Sequence, residues 1–391
     1  MKTKSLVLGL WLLSLALGFA QTLPTILVQP QSYVVVAGSN LTVSVTVTGA
    51  PAPSLQWLFN GTNLPGANLA TLTLNSMTVA QSGSYDVVVT NSFGSVTSAV
   101  ARLVAVTINK QWTGGGDGQS WSDVNNWSGG MLPVSTDSIF IGGSNGTITV
   151  SGGLTVNNLI CQHSLSVNGS LNVSGEVDVG GGFYISYGNS ISVNGTNAML
   201  IAEGSTTATA VNMYVGSGDF IELPGLTTIS GGNVNSSFGI EAGPGAVLNL
   251  SSVRTMQGPT GGNTPYSVQA YAGAVVDLSG VTNIAGNTGV NFYANSTNGV
   301  INLLDLLTFN GPGILSQANG GLILLNTNFV YNNVSVQLAP TFVSAPQSVF
   351  TVGSGLTVTY SIAVSASSPV YYQWYSNSVP IPVGMGSTLV R

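Results

Sequence analysis

Apolar and polar residues alternate with a period of two along most of this chain. Leu41-Thr42-Val43-Ser44-Val45-Thr46-Val47 and Tyr85-Asp86-Val87-Val88-Val89 are clear instances, and clusters of Gly, Pro and Asn separate such runs. Successive side chains of a strand point to opposite faces, so the pattern predicts half-buried strands joined by tight turns. Over residues 24–106 the runs are spaced as in a two-sheet antiparallel sandwich. Further on the pattern becomes a repeat. Ile221-Glu222-Leu223-Pro224-Gly225-Leu226-Thr227-Thr228-Ile229 aligns with Leu248-Asn249-Leu250-Ser251-Ser252-Val253-Arg254-Thr255-Met256, and again with segments starting at Val276, Ile301 and, degraded, Ile323. The steps between Leu223, Leu250, Leu278, Leu303 and Leu325 are 27, 28, 25 and 22 residues. Short apolar segments recurring at that period predict a solenoid. Each unit carries an earlier strand too, such as Ile240-Glu241-Ala242, Val268-Gln269-Ala270 or Phe292-Tyr293-Ala294. Three short strands per unit predict a parallel β-helix. Leucine-rich repeats are the rival, but their consensus asparagine and helical return are missing. Upstream, the segments at Ile148, Leu154, Leu165, Leu171 and Val177 read as further, tighter rungs.

Composition explains how such a stack is tolerated. Only 6 basic and 12 acidic residues occur in 391, so charged residues make up 5% of a chain that is 44% hydrophobic, with a mean hydropathy of +0.39. An ordinary domain is roughly a quarter charged. Like charges repeated in every coil would face one another at about 4.8 Å, whereas Asn, Ser and Thr ladder without repulsion. So little charge with so much apolar content excludes a disordered chain. Six scattered cations exclude a nucleic-acid footprint, and no anionic membrane surface would attract the chain.

Lys2 and Lys4 precede an apolar run at residues 6–19, and Gly18-Phe19-Ala20 places small residues for cleavage before Gln21. This reads as a secretory signal peptide over residues 1–20. The run is too short for a span and no later segment is apolar enough, so no transmembrane span is expected after cleavage. The expected address is secreted or at the cell surface. Cleavage leaves four basic and twelve acidic residues, a net charge of −8. One cysteine, Cys161, permits no internal disulfide; in its apolar stretch it reads as a small buried hydrophobe.

Two stretches of the first domain carry a family resemblance. Val45-Thr46-Val47-Thr48-Gly49-Ala50-Pro51-Ala52-Pro53-Ser54-Leu55-Gln56-Trp57 looks like a B strand, a G-x-P-x-P turn and a C-strand tryptophan. Gln81-Ser82-Gly83-Ser84-Tyr85-Asp86-Val87 looks like an E–F corner with Tyr85 as its tyrosine. Residues 24–106 thus resemble an intermediate-set immunoglobulin-like domain. Both cysteine positions hold valine, Val45 and Val87. The resemblance implies that these two pack on Trp57 where a disulfide would cross the sheets, and that Trp57 is a core residue rather than a ligand-stacking ring.

A second copy starts near residue 340. Ala345-Pro346-Gln347-Ser348 echoes Gln29-Pro30-Gln31-Ser32, and Trp374, Asn377, Pro382 and Leu389 each lie 317 residues beyond Trp57, Asn60, Pro65 and Leu72. Residues 340–391 therefore read as a partial immunoglobulin-like domain lacking its last two strands, and the full gene product is expected to continue. The predicted fold class is all-β: an immunoglobulin-like sandwich, a parallel β-helix over residues 141–337, and a truncated second sandwich.

Residues 107–140 form a Trp/Gly-rich cap or linker. Trp112-Thr113-Gly114-Gly115-Gly116-Asp117-Gly118 leads to Trp121-Ser122-Asp123-Val124-Asn125-Asn126-Trp127, then Pro133 and Asp137-Ser138-Ile139-Phe140. This looks like the tryptophan-rich opening before autotransporter-associated β-strand repeats in large bacterial exported proteins. The solenoid resembles β-helical regions of secreted bacterial surface proteins as a class of architecture. Trp112, Trp121 and Trp127 are candidate glycan-stacking rings, and Asp117, Asp123 and Asp137 candidate calcium ligands. The competing reading is a cap, in which rings cover the solenoid's end and Asp and Asn make turns. No calcium-loop consensus is present.

Catalysis finds few residues to work with. Glu222 and Asp277 share a repeat position two coils apart, about 9.6 Å at strand spacing, with Asn249 between. That is too far for a retaining glycosidase pair and marginal for an inverting one. A position between inward apolar residues should face solvent, which raises neither acid's pKa as a proton donor needs. Across residues 136–336 Arg254 is the single cation, and His163 is the chain's one histidine. No catalytic residue, cofactor or metal is expected. Asn-x-Ser/Thr matches, including Asn40, Asn60 and Asn295, arise by chance in such a chain. Two functions follow from the sequence: a non-catalytic adhesion or structural surface protein with unidentified protein or glycan partners, or a carbohydrate-binding or carbohydrate-processing protein working through the tryptophan segment or a β-helix face.

Overall fold

A computed structural model describes residues 22–143, 146–231, 239–260, 264–286, 288–326 and 328–337, and short backbone segments between 341 and 390. The signal-peptide reading of residues 1–20 falls outside these. The fold is all-β: among the described residues the helical elements are three single 3₁₀ turns, Val79–Gln81, Val124–Asn126 and Ser128–Gly130. The chain divides into two units at Ala105/Val106.

The first unit is an immunoglobulin-like sandwich. Thr22–Val28 pairs antiparallel with Thr46–Ala50, and Leu41–Ser44 with Thr71–Leu74. The opposing sheet runs Tyr33–Val36, Ala101–Val106, Gly83–Asn91, Ser54–Phe59, Thr62–Asn63, with Gly94–Thr97 also on Gly83–Asn91. Period-two patterning puts Leu41, Val43, Val45, Leu72, Val87, Val89 and Leu103 into one core around Trp57. Burying each such aliphatic side chain contributes about 1.5–3 kcal/mol.

The second unit is a solenoid of parallel strands on three faces. The first face carries ten strands, from Lys110–Gln111 through Ser138–Ile141 and Asn158–Cys161 to Leu322–Leu325. The second runs from Thr147–Val150 to Thr206–Ala208, then across a Thr209–Ser230 bridge to Thr228–Ser230, Thr255–Gln257 and Asn283–Ala285. The third starts at Leu154–Val156 and continues through Gly239–Ala242, Tyr266–Ala270 and Val290–Ala294. Thr308–Gln317 crosses the corner between the second and third faces, pairing with Asn283–Ala285 through its first half and with Val290–Ala294 through its second. The upstream segments are strands on successive faces, three to a coil: Ile148 stacks on Leu165, Leu154 on Leu171 and Leu159 on Val177, at steps of 17, 17 and 18 residues. In-register stacking makes columns of like residues. Ile139, Leu159, Val177, Leu200, Ile221, Leu248, Val276, Ile301 and Ile323 form one on the inner side of the first face, none more than 6% exposed.

Two glycine columns show what stacking demands of corners. Gly218, Gly245 and Gly273 hold φ of +74°, +70° and +71°, a region closed to most side chains. Their amides climb the stack: Gly218 donates to Pro244 O, Gly245 to Ala272 O and Gly273 to Thr297 O, each at 2.9 Å. At another corner Gly181, Gly204 and Gly225 lie so close that a Cβ on Gly225 would collide with Gly204 O, and one on Gly204 with Gly181 O.

Past the solenoid, Thr359–Ser361 pairs antiparallel with Thr388–Val390, and Tyr375–Ser376 with Val379–Pro380. Less 317, the partners Thr359/Val390, Tyr360/Leu389, Tyr375/Pro380 and Ser376/Val379 become Thr42/Thr73, Val43/Leu72, Leu58/Asn63 and Phe59/Thr62, all register partners in the first sandwich. Trp374, Asn377 and Pro382 lie outside the described residues.

Candidate binding surfaces

The immunoglobulin-type residues occupy the first sandwich's interior. Trp57 is wholly buried, stands opposite Val87 in register, and donates through Nε1 to Leu69 O at 2.9 Å. Val45 and Val87 are 5% and 0% exposed in the same cluster. Tyr85 Oη donates to Gln81 O at 2.8 Å, tying the corner to the strand that follows it. Burial raises the Tyr85 pKa, so the phenol stays a donor. None of these four side chains is presented to a ligand.

The tryptophan segment is built the same way. Lys110–Gln111 joins the first face in parallel, and Trp112 forms a bridge with Trp127. Trp112, Trp121 and Trp127 are 7%, 9% and 2% exposed and belong to the solenoid's own core cluster with Ile139 and Ile148. Trp127 packs edge-on against both others, with centroids 4.8 Å apart in each pair. Its Nε1 donates to Trp121 O at 2.8 Å, while Trp112 Nε1 is buried with no hydrogen-bond partner among the described residues. Rings so enclosed do not offer the open faces on which a sugar would stack.

Asn126 holds the loop beside them. It is fully buried; its Oδ1 accepts from Gly116 N at 2.9 Å and Gly118 N at 3.0 Å, and its Nδ2 donates to Asp117 Oδ1 at 2.8 Å and Ser120 O at 3.0 Å. Every hydrogen-bonding position of the amide is thereby used. The sequence shows this asparagine only as one turn residue among many. The three aspartates are likewise occupied by donors. Asp117 Oδ1 accepts from Gln119 N and Ser120 N, Asp123 from Asp117 N and Asn125 N, and Asp137 Oδ2 from Val134 N. Hydrogen bonds from Ser120, then Gln119 and Asn126, hold the Asp117 carboxyl well below the usual carboxylate range. Lys110, 8% exposed, donates to Ser128 O at 2.9 Å.

On the first face Glu222, Asn249, Asp277 and Asn302 stack in one outward column. The expectation that Glu222 faces solvent fails: it is 6% exposed. Ile201 precedes it in the column at 2% exposure, and Asn249 Nδ2 donates to Glu222 Oε1 at 3.0 Å, so apolar and amide neighbours replace water. Asp277 is half-buried and accepts from Ser279 N. Cys161 is 1% exposed; burial pushes its thiol up to about 12, and Sγ donates to His163 O at 3.4 Å. His163 Nε2 is buried and meets no hydrogen-bonding partner among the described residues. No group of three His, Cys, Asp or Glu is placed to share a metal among them, and no helix there is long and apolar enough to cross a membrane.

One concavity was not anticipated. A groove of about 640 Å³ opens at the corner between the second and third faces, lined by Thr288, Asn291, Pro312, Tyr331 and Asn333 among others. Its origin is a stepwise shortening of that corner. Between paired strands it takes eight residues (258–265), then four (286–289), then two (311–312), then Asn333 alone. The shrinking separation of apolar pairs is visible in the sequence, but only known registers show that those loops share a corner.

Comparison with known proteins bears on the first unit. A family model described as "Immunoglobulin domain" matches residues 24–91. The human cell adhesion molecule DSCAML1 is 37% identical over 90 residues, 22% of this chain and 4% of that protein. The chain thus spans a small fraction of that relative's length. Among solved structures, a chimeric titin Z1Z2 carrying a decorin KLER peptide is 33% identical over 23% of this chain and 99% of its own, with a TM-score of 0.21. Tandem Ig repeats of Dlar are 22% identical over 22% of this chain and 50% of theirs, TM-score 0.21. Residues 24–91 form an immunoglobulin-like domain.

Proposed function

We propose that this chain is a non-catalytic exported surface protein in which the immunoglobulin domain is an adhesion or interaction module and the β-solenoid a rigid spacer. The observation that carries the reading is the immunoglobulin match over residues 24–91 together with 37% identity to a cell adhesion molecule. Export rests on the signal-like residues 1–20. A bacterial surface setting rests on the likeness of the tryptophan-rich opening and repeat to exported bacterial proteins. The non-catalytic part of this reading is supported by chemistry: the column that holds Glu222 and Asp277 interposes Asn249 between them, and His163 Nε2 meets no hydrogen-bonding partner among the described residues. Protein contacts would fall on exposed apolar positions of the sandwich such as Leu69, 67% exposed, and Phe93, 42% exposed.

The test coats beads with the secreted chain and scores aggregation and capture on protein-coated and cell surfaces. Binding that falls with Leu69→Ser and Phe93→Ser supports the module; no adhesion on any surface overturns it. Release of reducing sugar or unsaturated product from any polysaccharide overturns the non-catalytic half.

A further inference from the structure

The corner groove is a built feature that neither the adhesion module nor the cap employs. Its floor includes Asn291, 8% exposed on the outward side of Val290–Ala294, in register with Ile314 and then Ser335 on the next two coils. Thr288, Pro265 and Pro312 line it too, Thr288 Oγ1 donating to Pro259 O at 2.7 Å. Asn332 and Asn333 line it as well, with Asn333 at φ +61°. Tyr331 lines the groove at 51% exposure, and its ring stacks on Phe329 with centroids 5.2 Å apart at 28°. Phe329 backs one face of the ring and holds its plane, which makes Tyr331 an aromatic platform rather than a loose side chain.

We propose that this groove binds a neutral oligosaccharide. Its volume falls in the range of small-ligand sites, about 300–1,000 Å³. The lining combines the amides of Asn291, Asn332 and Asn333 and the hydroxyls of Thr288 and Ser335 with the Tyr331 ring and two prolines, which matches a ligand that carries hydroxyls around an apolar C–H face. No lining residue is charged. An anionic sugar, a phosphate or an ammonium ligand would be desolvated there without a counter-charge. The net charge of −6 further repels polyanions. Asn291, Ile314, Tyr331 and Ser335 lie on paired strands, which hold that part of the site in place. The proposal is separate from the adhesion reading, because the groove lies in the solenoid and the module in the sandwich.

The test probes an array of neutral and acidic glycans with the full secreted chain, then titrates the best neutral binder by calorimetry. Tyr331→Ala is expected to weaken binding about tenfold and Tyr331→Phe by less than about threefold, since the ring supplies the platform. Asn333→Gly keeps the left-handed backbone, removes one amide, and should weaken binding several-fold. Asn332→Trp should fill the groove and abolish binding. Thermal melts check each fold, and if Tyr331→Ala unfolds, the Asn333 and Asn332 variants decide. No neutral glycan bound, binding indifferent to these variants, or capture of acidic glycans or peptides alone would overturn the proposal. Unchanged bead adhesion in the groove variants would show that failure here leaves the module's function intact.

Discussion

Replacing Trp127 or Trp112 by phenylalanine separates what an enclosed indole contributes as a ring from what it contributes as a donor. Both rings sit in the same cluster, and they pack on each other at 4.8 Å, so the apolar surface lost is similar. The N–H groups differ. Trp127 Nε1 donates to Trp121 O at 2.8 Å, whereas Trp112 Nε1 is buried without a hydrogen-bond partner among the described residues. Removing the first loses a net hydrogen bond of about 0.5–1.5 kcal/mol and leaves a buried carbonyl whose desolvation costs about 1–3 kcal/mol. Removing the second takes away an unsatisfied donor, which returns about 1–3 kcal/mol against the lost packing. Trp127→Phe should therefore destabilise by at least about 2 kcal/mol more than Trp112→Phe. A chain with two compact units need not melt in one step, so global unfolding is the wrong readout. Hydrogen exchange of peptides spanning residues 107–150, followed by mass spectrometry, reports the local free energy. Equal losses of protection, or a larger loss in the Trp112 variant, would refute the reasoning.

Other expectations follow from the same geometry. Asn126→Ala removes four hydrogen bonds from a buried amide and should cost about 2–4 kcal/mol of local stability in the same exchange experiment. Asp117 has its folded pKa lowered below the unfolded value of about 3.9, so its contribution is complete above about pH 4 and lost as pH falls through the folded value. Near-UV circular dichroism of the tryptophans should hold steady above about pH 4 and weaken in strong acid, and Asp117→Asn should lower it already at pH 7. With its thiol raised to about 12 and 1% exposed, native Cys161 should resist iodoacetamide and react only after unfolding. Gly204→Ala drives a Cβ into Gly181 backbone and should cost about 3 kcal/mol or more, visible as lost soluble secretion or a lowered melting temperature.

Much of this fold is legible from side-chain identity alone. Strict alternation places Val43, Val45, Val87 and Val89 inside a sandwich, and the Trp57 and Tyr85 spacings locate its C strand and corner. The leucine repeat likewise identifies the coils whose inward column runs from Ile221 to Ile323. The tight upstream segments are harder to read, because strands of three or four residues carry the same alternation whichever face they occupy. The three tryptophans are legible as a cluster but not as buried core residues, since stacking on a sugar and stacking on one another demand the same residues. The burial of Glu222 escapes the pattern for a related reason. Alternation says that it points away from the coil interior, but not that Ile201 and Asn249 flank it there.

By itself, then, the sequence determined the all-β class, the period of the downstream coils, the low charge that lets like positions stack, and the core of the sandwich. These depend on local chemistry and on repeat distance, which a linear pattern carries. Only the tertiary structure decided which strand lies over which. That register enclosed Trp112, Trp121 and Trp127, gave Asn126 its four partners, and turned corner loops of eight, four, two and one residues into a groove beside Tyr331. The physical reason is that enclosure and concavity belong to neighbours some twenty residues apart in the chain but one strand spacing, about 4.8 Å, apart in space.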